Sequence, residues 1–161
     1  MGGLAKIKRD VIDLLNTDHR FRQMELTEEF PGDARAIPVK KGTLAVGIDR
    51  VEAVQGGLGG HLGFSDGQVH SGALAEVTVR FDFYFPQNEA GSGLHVLFEG
   101  LCELLLLSGF GVEKLWCEPI GAEKGTMSTR LSARAALRVC LERSEETAVF
   151  RDIEVKGVAK W

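Results

Sequence analysis

The stretch "LAEVTVRFDFYF", residues 74–85, alternates apolar and polar side chains from Ala75 to its end. Successive side chains of a β-strand point to opposite faces, so this pattern predicts a strand with one apolar and one polar face. The apolar face carries Ala75, Val77, Val79, Phe81, Phe83 and Phe85, and the polar face carries Glu76, Thr78, Arg80, Asp82 and Tyr84. Such a strand is typical of a sheet that is covered on one side only.

The segments before this strand extend the prediction of a sheet. Residues 43–54, "TLAVGIDRVEAV", are rich in β-branched residues and predict the first strand of a hairpin with 74–85. Between the two strands lies "QGGLGGHLGFSDGQVHSG", residues 55–72, which contains seven glycines. We therefore expect a long glycine-rich hairpin loop at 55–73 that stays outside the core.

The remaining strands are predicted from the same periodicity. Residues 112–120, 127–142 and 147–158 each predict a strand, and a short strand is expected at 21–26. The segment 127–142 keeps period two throughout and would span roughly 50 Å, which is longer than most strands. A bulge in this strand, or an overhang past the sheet, is therefore expected.

Two segments have helical periodicity. Leu4, Ile7, Val11 and Leu15 recur at steps of three and four, which predicts an amphipathic helix at 3–16. Residues 93–108 are apolar at most positions and predict a second helix that is packed on most sides. The segment between the first helix and the first long strand, 27–42, contains two prolines and can bury little, so we expect an extended arm there.

This order of elements has no regular alternation of strands and helices. It predicts an α+β fold with a mostly antiparallel, twisted sheet of about five strands and two main helices packed on one face. A chain of 161 residues is the size of one domain, and no linker divides it, so we expect a single domain over 1–161.

The composition of the chain argues against several classes of function. With 44% hydrophobic and 26% charged residues the chain is expected to fold, and its net charge of −4 gives no electrostatic reason to bind nucleic acid or a lipid surface. The longest apolar run, "LLLL" at 104–107, is too short to cross a bilayer, so no membrane partner is expected. The three widely spaced cysteines indicate a reducing compartment and are interpreted as small buried hydrophobic residues.

The glycine-rich segment does not match known ligand-binding motifs. A dinucleotide fingerprint that starts at Gly57 would need a glycine at position 62, which is Leu62, and a P-loop would need a lysine, which 55–72 lacks. His61, Asp66 and His70 could ligate a metal, but a glycine-dense loop does not fix their geometry. We therefore predict neither a cofactor nor a metal site.

Two further groups of polar residues could carry chemistry. His95, Glu99 and Cys102 are spaced so that they could converge on the second helix, but a cysteine in apolar surroundings is inert, and a polar stripe is the favoured interpretation. Arg130, Arg134 and Arg138 share one face of a strand. They could form a basic ridge for nucleic acid, or they could pair with Glu76 and Asp82 of a neighbouring strand, which is the favoured alternative.

Five stretches taken together resemble small tail-assembly proteins of prophages, of the tail terminator or head-tail joining type. They are "FPGDARAIPV" (30–39), "LAVGIDRVEAVQGGLGGHLG" (44–63), "VTVRFDFYFP" (77–86), "LFEGLCELLLLSGFGVEKLWCEPI" (97–120) and "FRDIEVKGV" (150–158). The resemblance implies a non-enzymatic α+β subunit that forms a ring, usually a hexamer. Such a ring caps the tail tube, contacts the head connector and lets DNA pass through its channel.

From this resemblance we expect a protein of the virion tail that is assembled in the bacterial cytoplasm, with copies of itself, tail tube and head connector proteins as partners. The resemblance carries no contact motif, so the residues expected to contact these partners are chosen by their expected exposure: Gly57, Gly60, His61, Phe64, His70, Arg130, Arg134 and Arg138. The alternative is a small-molecule-binding or hydrolytic α+β domain with a pocket between the sheet and the 93–108 helix. In that case His95, Glu99 and Cys102 would lie at the mouth of the pocket.

Overall fold

The computed structural model describes residues 3–28, 40–54, 61–65, 68–86, 92–124 and 127–142. In chain order the elements are α1 (Gly3–Thr17), α2 (His19–Arg22), β1 (Glu25–Glu28), β2 (Thr43–Val54), β3 (His61–Ser65), β4 (Gln68–Pro86), α3 (Ser92–Leu106), β5 (Val112–Cys117), β6 (Gly121–Glu123) and β7 (Ser128–Glu142). The predicted α+β class and both predicted main helices are confirmed.

Five strands lie side by side in the order β1-β2-β4-β7-β5, while β6 pairs with the start of β7 and β3 with the start of β4. The pair β1–β2 is parallel, and every other pair in this sheet is antiparallel. The sheet is therefore mostly antiparallel, as predicted. The sequence prediction of about five strands and two helices lacked β3, β6 and α2, which are short.

The longest ladder joins β4 and β7. Its register runs without a shift from Pro86 opposite Ser128 to Gly72 opposite Glu142. For this ladder the prediction of a bulge or overhang in 127–142 is wrong. β4 has 19 residues and pairs with β7 along its whole length. Register shifts occur instead at Asp49 in β2 and at Glu113 in β5.

The core lies on one face of the sheet. The apolar side chains predicted from the alternation in β4 pack there, together with the odd-numbered residues of β7 between 131 and 139, and they form one cluster with the apolar sides of α1 and α3. Its largest fully buried members are Phe21, Phe81, Phe83, Leu15, Leu44, Leu94, Leu101, Leu105 and Leu131. Both main helices therefore cover the same face, as predicted.

Other sequence predictions differ from the structure or fall outside it. The range 55–73, predicted as a loop, contains β3 and the first residues of β4, so the loop prediction is wrong for 61–65 and 68–73. The short strand expected at 21–26 begins at Glu25, because Asp18 caps α2 just before it. Most of the 27–42 arm and the whole 147–158 strand lie outside the described residues.

A polar clamp fixes α2 against α3. Asp18 accepts hydrogen bonds from the backbone N–H and the guanidinium of Arg20, at 2.8 to 3.0 Å. The same guanidinium donates to Glu103 of α3 at 3.0 Å and lies over Gly100, where an added Cβ would come within 2.8 Å of Arg20. A side chain at position 100 would therefore force the guanidinium of Arg20 to move.

This clamp makes stability depend on pH. The hydrogen bonds from Arg20 lower the pKa of Asp18 from 3.8 to about 2. A depressed carboxyl pKa contributes stability above the ordinary pKa, and the contribution is lost as the pH falls through the folded value. We therefore expect the free energy of unfolding to fall between about pH 4 and pH 2.

The measurement is urea unfolding at several pH values in this window, with Asp18→Asn as the test variant. The variant lacks the titrating carboxyl, so its stability should change less across the window than that of the wild type. Asp10→Asn, on α1, is the matched control for the removal of one carboxylate. Equal slopes for wild type and Asp18→Asn would contradict the lowered pKa.

Candidate interaction surface

The sheet has a second face that carries the even-numbered residues of β4 and β7. We call it the polar face. Its central side chains are Glu76, Thr78, Arg80, Asp82 and Tyr84 on β4, Arg130, Ser132, Arg134, Ala136 and Arg138 on β7, and Asp49, Glu113 and Glu118 from neighbouring segments. The helices α1 and α3 lie on the opposite side.

Asp49 organises the centre of the polar face. The register of β2 shifts between Ile48 and Arg50, so Asp49 is the extra residue of a β-bulge. Its carboxylate accepts a hydrogen bond from Arg134 Nε at 2.8 Å and lies 3.4 Å from Arg80 Nη1. The bulge thus lets one carboxylate of β2 reach arginines of both β4 and β7.

Arg134 is held from two sides. In addition to Asp49 it donates to Glu118, which follows β5. The hydrogen bond to Asp49 is the main cause of a raised pKa at Arg134, with a smaller contribution from Glu118. Its side chain is only 20% exposed, so this guanidinium is mostly occupied by contacts within the chain. Asp49 and Glu118 were missed by sequence reasoning, and only the break in the alternation of β2 hinted at the bulge.

A buried carboxylate lies next to this centre. Asp82 is 5% exposed and accepts a hydrogen bond from Ser132 Oγ at 2.5 Å. Arg80 Nε lies 2.8 Å from the other oxygen of Asp82 but makes no hydrogen bond, because the approach is badly aligned. The contact therefore balances charge more than it satisfies the N–H donor. Ser132 and Asp82 face each other directly across β4 and β7.

The three arginines predicted to share a face have different partners. Arg138 lies 3.4 Å from Glu76, its direct cross-strand neighbour, and 3.3 Å from Glu113. Pairing with Glu76 is thus confirmed, and Asp82 contacts Arg80 of its own strand. Arg130 hydrogen-bonds to Tyr84, whose pKa is raised mainly by burial. A continuous basic ridge is absent among these described residues, because carboxylates lie between the arginines.

The polar face ends at a two-stranded ribbon. β2 pairs with β4 up to Leu74 and β7 pairs with it up to Gly72, so residues 68–71 of β4 pair in the described chain with β3 alone. In this ribbon, Phe64 is opposite Val69, and His61 is opposite Ser71. His70 is opposite Gly63. The ribbon therefore contains three of the predicted contact residues, and the other two in this region, Gly57 and Gly60, lie outside the described residues.

The polar stripe of α3 is not assembled into a reactive group in the described structure. His95 and Glu99 are exposed, and Cys102 is half-buried. Burial is the main cause of a raised pKa at Cys102, which lowers the fraction of nucleophilic thiolate at neutral pH. Within the described ranges, no group of three or more His, Cys, Asp or Glu residues is arranged to hold a metal ion.

The described helices include none that is long and apolar enough to cross a membrane. Comparison of the chain with models of known protein families and with curated proteins finds no match.

The bulge carboxylate should contribute more to stability than a fully exposed ion pair. Asp49→Asn removes the charge opposite two partly buried arginines, and we expect a loss of about 1 kcal/mol in the free energy of unfolding. The matched control is Glu52→Gln, whose partner Arg50 is 71% exposed, and it should cost less than about 0.5 kcal/mol.

Urea unfolding in low salt and at about 1 M NaCl measures both variants, and the Asp49→Asn cost should shrink in high salt, because salt screens the pairs. Equal costs for the two variants would show that the bulge carboxylate has no special role.

Proposed function

We propose that this chain is a non-enzymatic structural protein of a phage or prophage tail, a ring-forming subunit of the tail terminator or head-tail joining type. The observation that carries the proposal is the ribbon of β3 and β4, which extends past the ends of β2 and β7. The sequence resemblance gives the class of assembly, and the ribbon supplies a segment suited to contact a neighbouring subunit.

A two-stranded ribbon is marginally stable in water when nothing packs on it. In the described chain, residues 68–71 have hydrogen-bonded partners on one side only, in β3. A neighbouring subunit would bury the ribbon and complete its packing. A contact between two different surfaces of identical subunits is also what generates a closed ring.

The polar face is compatible with a channel through which DNA passes. Arg134 and Arg138 are each matched by two carboxylates, so they offer little free positive charge to phosphates. The net charge of the chain, −4, acts in the same direction. On this proposal DNA moves past the ring without being bound by it.

The partners follow from the proposed class. They are further copies of the chain, arranged as a hexameric ring, and the tail tube and head connector proteins. The contact residues are Gly57, Gly60, His61, Phe64 and His70 of the ribbon region and Arg130, Arg134 and Arg138 of the polar face. The ring forms in the bacterial cytoplasm and becomes part of the virion tail.

Removal of the ribbon tests the proposal. In the variant, Asn-Gly replaces residues 57–70 and forms a three-residue loop with Ser71, which leaves Val54 opposite Leu74. Light scattering coupled to size exclusion should show a ring for the wild type and a monomer for the variant. The melting temperature should stay close to that of the wild type, because the ladders that β4 forms with β2 and β7 end at Leu74 and Gly72 and are left intact.

A pair of point variants gives a matched control within β3. Phe64→Asp and Ser65→Asp add the same charge at adjacent positions of β3, and only Phe64 is a predicted contact residue. We expect Phe64→Asp to raise the protein concentration needed for half-maximal ring formation at least tenfold. Ser65→Asp should raise it less. A wild-type chain that stays monomeric and does not copurify with a tail tube protein would refute the proposed function. Rings that survive removal of the ribbon would refute its role.

A further inference from the structure

Two half-buried cysteines lie where α3 meets the edge of the sheet. Cys102 is on α3, Cys117 is the last residue of β5, and both are free thiols. The two elements pack directly against each other, and Cys117 contacts the core cluster on the face that α3 covers. Burial is the largest cause of the raised pKa of Cys102, and the charge of Cys117 is the next, which agrees with the placement of both thiols at this junction.

We propose that Cys102 and Cys117 are a latent disulfide pair that closes when the chain meets a low-molecular-weight disulfide. The bond would join α3 to the edge strand β5 and close a loop of the chain between them. The reduced and half-buried state described here is the open form of this pair.

The third cysteine is in a different position. Cys140 is opposite Leu74 on β7, and Leu137 is the last residue of β7 that pairs with β5. Cys140 therefore lies beyond the end of the β5 ladder, away from the junction of α3 and β5. Of the three possible pairs, Cys102 with Cys117 is the one whose two residues both lie at the junction of α3 and β5.

The reaction proceeds by two thiol-disulfide exchanges. One protein thiolate attacks a sulfur of glutathione disulfide, forms a mixed disulfide and releases one glutathione thiolate, which takes up the proton lost by the protein thiol. The second protein thiol, after losing its proton, attacks the protein sulfur of the mixed disulfide and releases the second glutathione. Two electrons pass from the protein thiols to the glutathione disulfide, which is reduced to two thiols.

Burial sets the rate of this closure. Both thiols are partly covered, so small oxidants reach them more easily than a protein oxidant does. The raised pKa of Cys102 keeps little thiolate at neutral pH, and the rate of closure should rise by up to about tenfold per pH unit below that pKa. The pair would thus stay reduced in a cytoplasm and close slowly outside it.

The biological use of the pair rests on the proposed function. A tail protein is made in a reducing cytoplasm and then leaves the cell within the particle, where disulfides persist. Closure of the disulfide after release would stiffen the junction of α3 and β5. At that stage an unfolded subunit of the particle can no longer be replaced.

The test uses the full chain, incubated with glutathione disulfide at about pH 8, after which remaining thiols are blocked with N-ethylmaleimide. We expect the intact mass to show the loss of two hydrogens and one blocked thiol, and peptide mapping to link Cys102 to Cys117. The melting temperature should rise by about 5 to 10 °C upon oxidation, because the bond restricts the unfolded chain.

Three serine variants are the controls. Cys140→Ser should form the bond and gain the same thermal shift, whereas Cys102→Ser and Cys117→Ser should gain neither. A mapped link that involves Cys140, persistent glutathione adducts on Cys102 and Cys117, or three blocked thiols after oxidation would overturn the proposal. The mass, peptide map and melting temperature are measured on the isolated chain and do not depend on ring formation. The disulfide proposal and the proposed function can therefore be refuted separately.

Discussion

The structure depends on the unbroken ladder between β4 and β7. In a strand, a slip of one residue exchanges its two faces, and here all fifteen residues of β7 keep one register against β4. The odd-numbered side chains of 75–85 and 131–139 therefore fill the core under α1 and α3, and the even-numbered ones between them form the polar face. A shift by one position would bury arginines and expose phenylalanines, so core and surface are specified together.

Much of this arrangement could be read from period two alone. The alternation in 74–85 and 127–142 fixed the strands, their apolar faces and the hairpin with β2, because burial on one face leaves a strong pattern in the sequence. The ribbon was not predicted, since its glycines indicate a loop and its pairing with β4 depends on contacts that propensity does not encode. The bulge at Asp49 was also missed. One extra residue shifts the register of β2 against β4 but leaves the composition of the segment typical of a strand.

The polar face illustrates how topology can reverse the meaning of a sequence feature. Three arginines at every second outward position suggest a surface for phosphates when the strand is considered alone. In the sheet, Asp49, Glu118, Glu76 and Glu113 come from other segments to Arg134 and Arg138, and the charges are balanced locally. The carboxylates lie far away in sequence, so only the strand order could bring them together.

The length of β4 has a mechanical consequence. One continuous strand of 19 residues runs from the ribbon through the middle of the sheet, with β2 and β7 on its two sides. In antiparallel ladders the hydrogen bonds are perpendicular to the strands, so a force along β4 shears many of them at once and does not peel them one by one. A load applied to the ribbon would therefore be carried by both ladders together, through the same strand that shapes the core.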